Sequence, residues 1–572
     1  RYVLDGALPP LAIPATLHDS LMARLDRVAS MRHVAQVGAA IGREFSYALL
    51  QAVSRLSPDE LQVALTRLVA SGLVTQRGTP ADAVYAFKHA LVQDAAHATL
   101  LRDARQDLHA RIAESLEADS PELMDGQPEL FALHYAEAGL VEQSAAFWGK
   151  AGHASAARSA MAEAAAQFQK GLDQLALLPE TPQRRRQELE FCSSLGAALR
   201  LVKGLAAPET GGAYARAREL WEELGSPSEF LHVPYGQSRY HSARGELERA
   251  QSLDADLLRL SRQRHDADGL VLGHLAAGRD QMFVGRFAAA RAHLEQVVAL
   301  YDPVVHRSLV HHATIYPEVV AQAYLGVVSL CLGFPDQALA HSSAAIAEGR
   351  KVGHPPSLAV AWHSGAVVLS LVGKDAILGE WTDNNATEQG FPVWQAIGAI
   401  FRGWVKAKNG EVAEGIALLR SGVAADRGTG SVAWVPYFIA LLAGACEAAG
   451  QLDEALSVLD DAFQIVERTG AHWLLAELNR LKGRLRLCQG HRDAAEELYR
   501  KALAIAEEQG AKLWELRAAA SLAELDRDSV SERERLASIC GWFTEGLDTP
   551  DVTGAKALLT ELRHPSIGQS RL

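Results

Sequence analysis

A phosphate-binding loop needs a glycine, a four-residue gap, and then glycine, lysine and a hydroxyl residue, so that backbone N–H groups and the ammonium converge on one anion. Gly149-Lys150 and Gly373-Lys374 lack both the earlier glycine and the following Ser or Thr. Histidines 306, 311 and 312 lie close together but at no metal-ligand spacing, and neither an H-E-x-x-H nor a G-x-S-x-G segment occurs. His89, in Phe87-Lys88-His89, falls where a strand is expected to give way to a helix. An imidazole there can cap the helix, face solvent, or respond to a neighbouring charge. No catalytic constellation results, and the residue types that remain are those of a binding surface. Trp394, Trp434, Trp473 and Trp514 recur at intervals of 40, 39 and 41 residues. They read either as an aromatic strip for a peptide or apolar ligand, or as packing between structural repeats.

That periodicity belongs to the elements that carry the tryptophans. Ser431 to Gly470 and Ala471 to Gly510 are two blocks of 40 residues in one register. Each has an apolar run of helical period, a break at Gly450 or Gly490, a second helical run with Ala455 or Ala495 near its start, and a closing Gly470 or Gly510. Phe391 to Gly430 fits the same frame, with Gly410 at the turn and Gly415 in the alanine position. Glycine accepts the positive φ that ends a helix, an acidic or amide residue next to it is expected to start the following one, and a small residue lets the two helices approach. Repeats of this length predict stacked helical hairpins, because one hairpin cannot cover its own apolar face.

Composition narrows the class. Hydrophobic content of 48 % with 22 % charged residues suits a folded chain, and abundant alanine and leucine with 6 % aromatics favour helix over sheet. A net charge of -13 over 572 residues argues against a broad nucleic-acid footprint and against an anionic membrane surface as partner. The cysteines, 192, 331, 446, 488 and 540, are odd in number and form no C-x-x-C pair, so each is expected to be a small core residue in a reducing, cytoplasmic compartment. Apolar runs such as 366–372 are too short to span a bilayer. The chain begins with Arg1 and not Met, and reads as a piece of a longer protein.

Residues 1–14, with three prolines, are expected to be a linker. Helical patterns follow in TLHDSLMARLDRV, MRHVAQVGAAIG, SYALLQAVS and LQVALTRLVASG, the last entered through Ser57-Pro58-Asp59-Glu60 and stopped at Gly72. Two alternating runs, LVTQR (73–77) and AVYAFK (83–88), complete the outline of a winged helix over 15–110. Its third helix carries Asp59 and Glu60 against Arg67 alone, and residues 1–110 hold eleven basic against ten acidic side chains, which disfavours DNA binding. Further turn glycines stand at 139, 245, 285, 333 and 373. The interval from 139 to 245 has room for two or three units without clean signals, and Pro179, Pro182 and Arg184-Arg185-Arg186 mark a joint within it.

The segments IPATLHDSLMARLDRV, VAQVGAAIGREFSYALL, LTRLVASGLVTQRG, YAFKHALVQDAAHATLL and ELFALHYAEAGLVEQSAAFWGKAG, in that order, resemble the region downstream of the nucleotide-binding module in bacterial signalling ATPases of the STAND class. The likeness continues through VGRFAAARAHLEQVVALYDP and KALAIAEEQGAKLWELRAAASLAEL to GWFTEGLDTPDVTGAKALLTEL. It is strongest to proteins in which a class III adenylate/guanylate cyclase domain precedes the ATPase and a tetratricopeptide-like array follows it. The resemblance implies an ATP- or ADP-binding module upstream of Arg1, and a nucleotide-facing role for His89. The sequence departs from the family at His311 to Pro317, where a histidine and an aspartate usually precede the proline.

Together these features predict a mainly α chain: a winged-helix module with one small β-hairpin wing, then an α-α superhelical tetratricopeptide-like solenoid. The expected divisions are a linker (1–14), the winged helix (15–110), a helical connector with the first hairpin (111–180), the solenoid (181–525) and capping helices (526–572). The expected function is regulatory, with a protein or peptide, or the upstream ATPase module, on the concave face. No cofactor, metal or membrane is expected for the chain itself. A transcription regulator and a passive scaffold are the alternatives.

Overall fold

A computed structural model describes residues 29–79, 82–313, 315–385 and 392–563. The expected linker and the segment 16–28 lie outside the described residues, as do Thr314 and the last nine residues. The chain forms two compact units, one ending at Arg184 and one beginning at Arg185.

In the first unit the order is helix (Ala29–Ile41), strand β1 (Glu44–Ser46), two helices (Tyr47–Ser54 and Pro58–Ala70), and the hairpin β2 (Val74–Arg77) and β3 (Val84–Phe87). The sheet is antiparallel in the order β1-β3-β2, with Phe45 opposite Tyr85 and Gln76 opposite Tyr85 on the other side. Strand β1 is an addition to the expected two-stranded wing. Its three residues are too few to show alternation, and they are recruited because Phe45 stacks on Tyr85 at 5.8 Å and tilts against Phe87 at 5.5 Å. Ser57 and Glu60 form the reciprocal cap that their spacing predicts, and Gly72 takes φ +70° after the helix. The unit continues through Arg102–Asp119 and the paired helices Pro128–Ala138, Val141–Ala157 and Met161–Leu175.

The second unit is a series of antiparallel helix pairs from Pro182–Val202 to Pro550–Arg563. Gly450 and Gly490 sit at φ +74° and +87° between the helices of their pairs, as the repeat predicts. The residue after each glycine, Gln451 or His491, makes no side-chain cap, contrary to expectation. Backbone bonds close the turn instead: Gly450 N donates to Glu447 O at 2.9 Å and Gln451 N to Cys446 O at 2.9 Å. Ala455 and Ala495 are fully buried, as close approach of the two helices requires.

First and second helices of a pair differ in what surrounds them. Val435–Ala448 buries nearly every side chain, whereas Leu452–Thr469 buries one face only. First helices therefore form an inner wall and second helices an outer one. The array also coils far enough for its turns to touch. Val432 N donates to Ala243 O at 2.8 Å, Asp336 N to Glu545 Oε1 at 3.0 Å, and Arg517 Nη2 to Leu371 O at 2.8 Å. An open concave face is thus replaced over much of its length by packing between successive turns.

Four cysteines are buried, but Cys488 is exposed, which corrects its assignment to the core. Among the described residues no helix is long and apolar enough to cross a membrane.

Candidate binding pocket on the inner wall

The four periodic tryptophans do not form one strip. Trp473 and Trp514 are fully buried, 0 % and 1 % exposed, so they serve as packing between pairs. Their burial follows from the coiling that the repeat frame does not encode. Trp394 and Trp434 are half-buried and line one pocket.

That pocket is a partly enclosed cavity of about 160 Å³ among first helices. His232–Ala243 supplies Arg239, Ala267–Phe283 supplies Phe283 and Arg279, Pro317–Cys331 supplies Tyr324, and Pro392–Lys408 supplies Trp394. Trp434, at the N-terminus of Val435–Ala448, is the hub of the aromatic wall. It meets Phe283 edge-on at 5.3 Å, His363 at 4.7 Å and Trp473 at 5.2 Å, and stacks with Tyr324 at 6.4 Å. Ring pairs at these distances fix one another's orientation. A neighbouring cavity of about 90 Å³ shares His363 and Trp394 with it.

The polar groups of the wall fall into two kinds. Arg279 is buried and bonds Asp280 through two nitrogens, at 2.8 and 3.2 Å. Asp280 also accepts from Ser242 Oγ at 2.7 Å. Burial, and then Asp280, push the carboxyl of Asp254 behind them well above its usual range. Arg239, by contrast, has no carboxylate partner among the described residues, and its Nε is buried without an acceptor. Asp426, 4 % exposed, is pushed up to about 7 by burial alone. No arginine holds it down. His363, surrounded by Trp394, Phe401, Trp434 and Phe438, is pushed down to about 3 by burial. Chemically the pocket can bind and orient, and its titratable groups are not arranged as an acid and a base around one point.

In the first unit His89 is exposed at the N-terminus of Ala90–Ala98 and makes no capping bond. The helix Pro58–Ala70 turns Asp59, Glu60, Val63, Thr66 and Arg67 outward, a face with too little positive charge to follow a phosphate backbone. A cluster that sequence spacing does not signal joins three helices. His97 Nε2 lies 3.3 Å from His109 Nε2, and His109 Nδ1 lies 2.9 Å from His134 Nδ1. Donor atoms of His97, His109 and Glu137 lie within 4.8 Å of one another and could gather round a cation, while Glu137 is also paired with Arg105 at 3.2 Å. The side chains of His311 and His312 lie outside the described residues, so their expected proximity to His306 has no structural counterpart here.

A tetratricopeptide-repeat family model matches residues 437–508, the two most regular pairs, so such repeats are present in the chain. An uncharacterized protein of Rhizobium meliloti (strain 1021) is 27 % identical over 519 residues, covering 88 % of this chain and 50 % of that protein. The chain thus spans about half the length of the curated relative it matches. Solved structures with a similar fold include a Rap protein complexed with Competence and Sporulation Factor, with 13 % identity, 65 % of this chain, 99 % of that chain and a TM-score of 0.45. The Cut9–Hcn1 hetero-tetramer of APC/C has 11 % identity, 79 % and 92 % coverage and a TM-score of 0.38. A STAND protein with a tetratricopeptide repeat sensor from Pyrococcus horikoshii has 12 % identity, 73 % and 66 % coverage and a TM-score of 0.33.

Proposed function

We propose that this chain is the regulatory, protein-interaction part of a signal-transduction ATPase of the STAND class. Its repeat array senses a ligand or partner, and its first unit, read as a winged-helix module, passes the signal to an upstream nucleotide-binding module. The observation that carries this is the inner pocket, where residues separated by about half the second unit's length meet around Trp434 without any catalytic arrangement. Occupancy there would bridge successive turns of the coil. A ligand that prefers one coil geometry shifts the population toward it, which is what regulation by binding requires.

In this reading His89 faces the nucleotide of the upstream module, and its exposure leaves the imidazole accessible for that contact. ATP or ADP is the nucleotide, and an adenylate/guanylate cyclase domain stands upstream of the ATPase. The array's partner is a protein or peptide, and the compartment is the cytoplasm. The order of sequence segments that resemble STAND proteins supports the nucleotide-binding and cyclase modules, the tetratricopeptide repeats support a protein or peptide partner, and the scattered cysteines without a C-x-x-C pair support the cytoplasm.

The test uses the full reading frame. Nucleotide turnover is measured for the intact protein, for a version ending at residue 184, and for His89→Ala. Removal of the array is expected to raise basal turnover, and His89→Ala to change nucleotide retention. Unchanged turnover after removal of the array would leave a passive scaffold as the better description.

A further inference from the structure

The charge balance of the inner pocket is incomplete. Of its three arginines, Arg279 is compensated by Asp280. Arg200 donates to the carbonyl of Ala313 at 3.1 Å. Arg239 itself meets no carboxylate among the described residues. Asp426, the acidic group in the wall, makes no ion pair or hydrogen bond with Arg239 among the described residues. Arg239 is half-buried with its Nε enclosed and unpartnered, and an anion entering the pocket would supply the acceptor that nitrogen lacks. The chain as a whole carries a net charge of -13, so a positive interior patch is not the by-product of a basic protein.

The rest of the wall limits what the anion can be attached to. Phe283, Tyr324, Trp394 and Trp434 offer flat apolar faces, and a dry cavity of about 150 Å³ is known to accept a benzene-sized ring. A guanidinium matches the planar geometry of carboxylate and phosphate oxygens.

We propose that the inner pocket takes a small ligand with an anionic head, carboxylate or phosphate, on a flat apolar body. The head lies against Arg239 and the body between Trp394 and Trp434. This names the ligand class of the sensor pocket and rests on that reading of it.

The experiment compares two fluorescent probes on the whole chain: 8-anilinonaphthalene-1-sulfonate and N-phenyl-1-naphthylamine, which share a ring system and differ in the sulfonate. The sulfonate probe is expected to bind about tenfold or more tighter than the neutral one. Arg239→Gln is expected to remove that advantage and leave the neutral probe unchanged, while Arg239→Lys retains much of it. A thermal melt of each variant confirms that it folds. Displacement by phenyl phosphate against phenylacetate then identifies the head. Equal binding of the two probes, unaffected by Arg239→Gln but weakened by Trp434→Ala, would overturn the anionic class and leave a purely apolar sensor pocket. Absence of any binding that Trp434→Ala weakens would overturn both.

Discussion

Gly403 and Gly415 face each other where the helices Pro392–Lys408 and Val412–Gly428 cross. A methyl group built on Gly403 would lie 2.8 Å from the carbonyl oxygen of Gly415, and one on Gly415 would lie 2.6 Å from that of Gly403. Both positions meet backbone, which cannot rotate away. Gly415→Ala is therefore expected to destabilise the second unit by about 1–3 kcal/mol, although alanine is the better helix former. Ala495→Glu, at the equivalent place two repeats on, is expected to cost several kcal/mol more through overpacking and an unpaired charge. Thermal melts rank the two, and a Gly415→Ala protein as stable as its parent would disprove the close crossing.

Arg517 ties three parts of the coil together. It bonds Asp551 twice, at 2.8 and 2.9 Å, Glu477 at 3.1 Å, and the carbonyl of Leu371 at 2.8 Å. Burial would raise the Glu477 carboxyl, but Arg480 and Arg517 outweigh it and hold the group at about 2. Arg517→Met strands Asp551, while Glu477 keeps its two bonds to Arg480 at 2.7 and 2.8 Å, and is expected to cost about 3–5 kcal/mol in a denaturant titration. Adding Asp551→Asn should recover much of the loss, whereas adding Glu477→Gln should deepen it by leaving Arg480 without its carboxylate. No recovery would mean that the arginine acts through packing.

The division between buried and half-buried tryptophans can be read in solution. Trp434→Phe is expected to remove a component of emission that acrylamide quenches, and Trp473→Phe a blue-shifted component that it does not reach. The reverse assignment would show that the coil is looser than the contacts of Val432 and Glu545 imply.

These tests also mark what could be read from residue order. Gly450, Gly490, Ala455 and Ala495 were legible because a positive φ and a close helix approach each admit few residue types. The pair boundary at Ser159 was not, since a serine there takes φ +62° in place of glycine. Strand β1 escaped because three residues carry no period. The pocket was half-legible: Trp394 and Trp434 stand out at repeat spacing, but Arg239 is joined to them only by the return of the superhelix, which depends on summed small rotations between pairs and leaves no local motif. The burial of Trp473 and Trp514 has the same cause.

The same return produces a pH dependence. His363 is enclosed by the rings of Trp394, Phe401, Trp434 and Phe438, and burial pushes it down to about 3. In the unfolded chain it takes a proton near 6.5. Below that value the unfolded state binds a proton that the folded state does not, so stability is full above about pH 6.5 and declines as pH falls toward 3. Between pH 7 and pH 5 this one group is expected to remove about 2 kcal/mol, from 1.36 kcal/mol per unit over the span below 6.5. His363→Leu should reduce the slope of that part of the profile by up to about 1.36 kcal/mol per pH unit, leaving in place the losses from the other buried histidines such as His274, the opposing gain from Asp426, and the loss from Glu477 that sets in below about pH 4.5. Denaturant midpoints of parent and variant at pH 7, 6 and 5 provide the check. Parallel profiles would show that His363 is reached by water or a counter-ion, and that the aromatic wall around Trp434 is open.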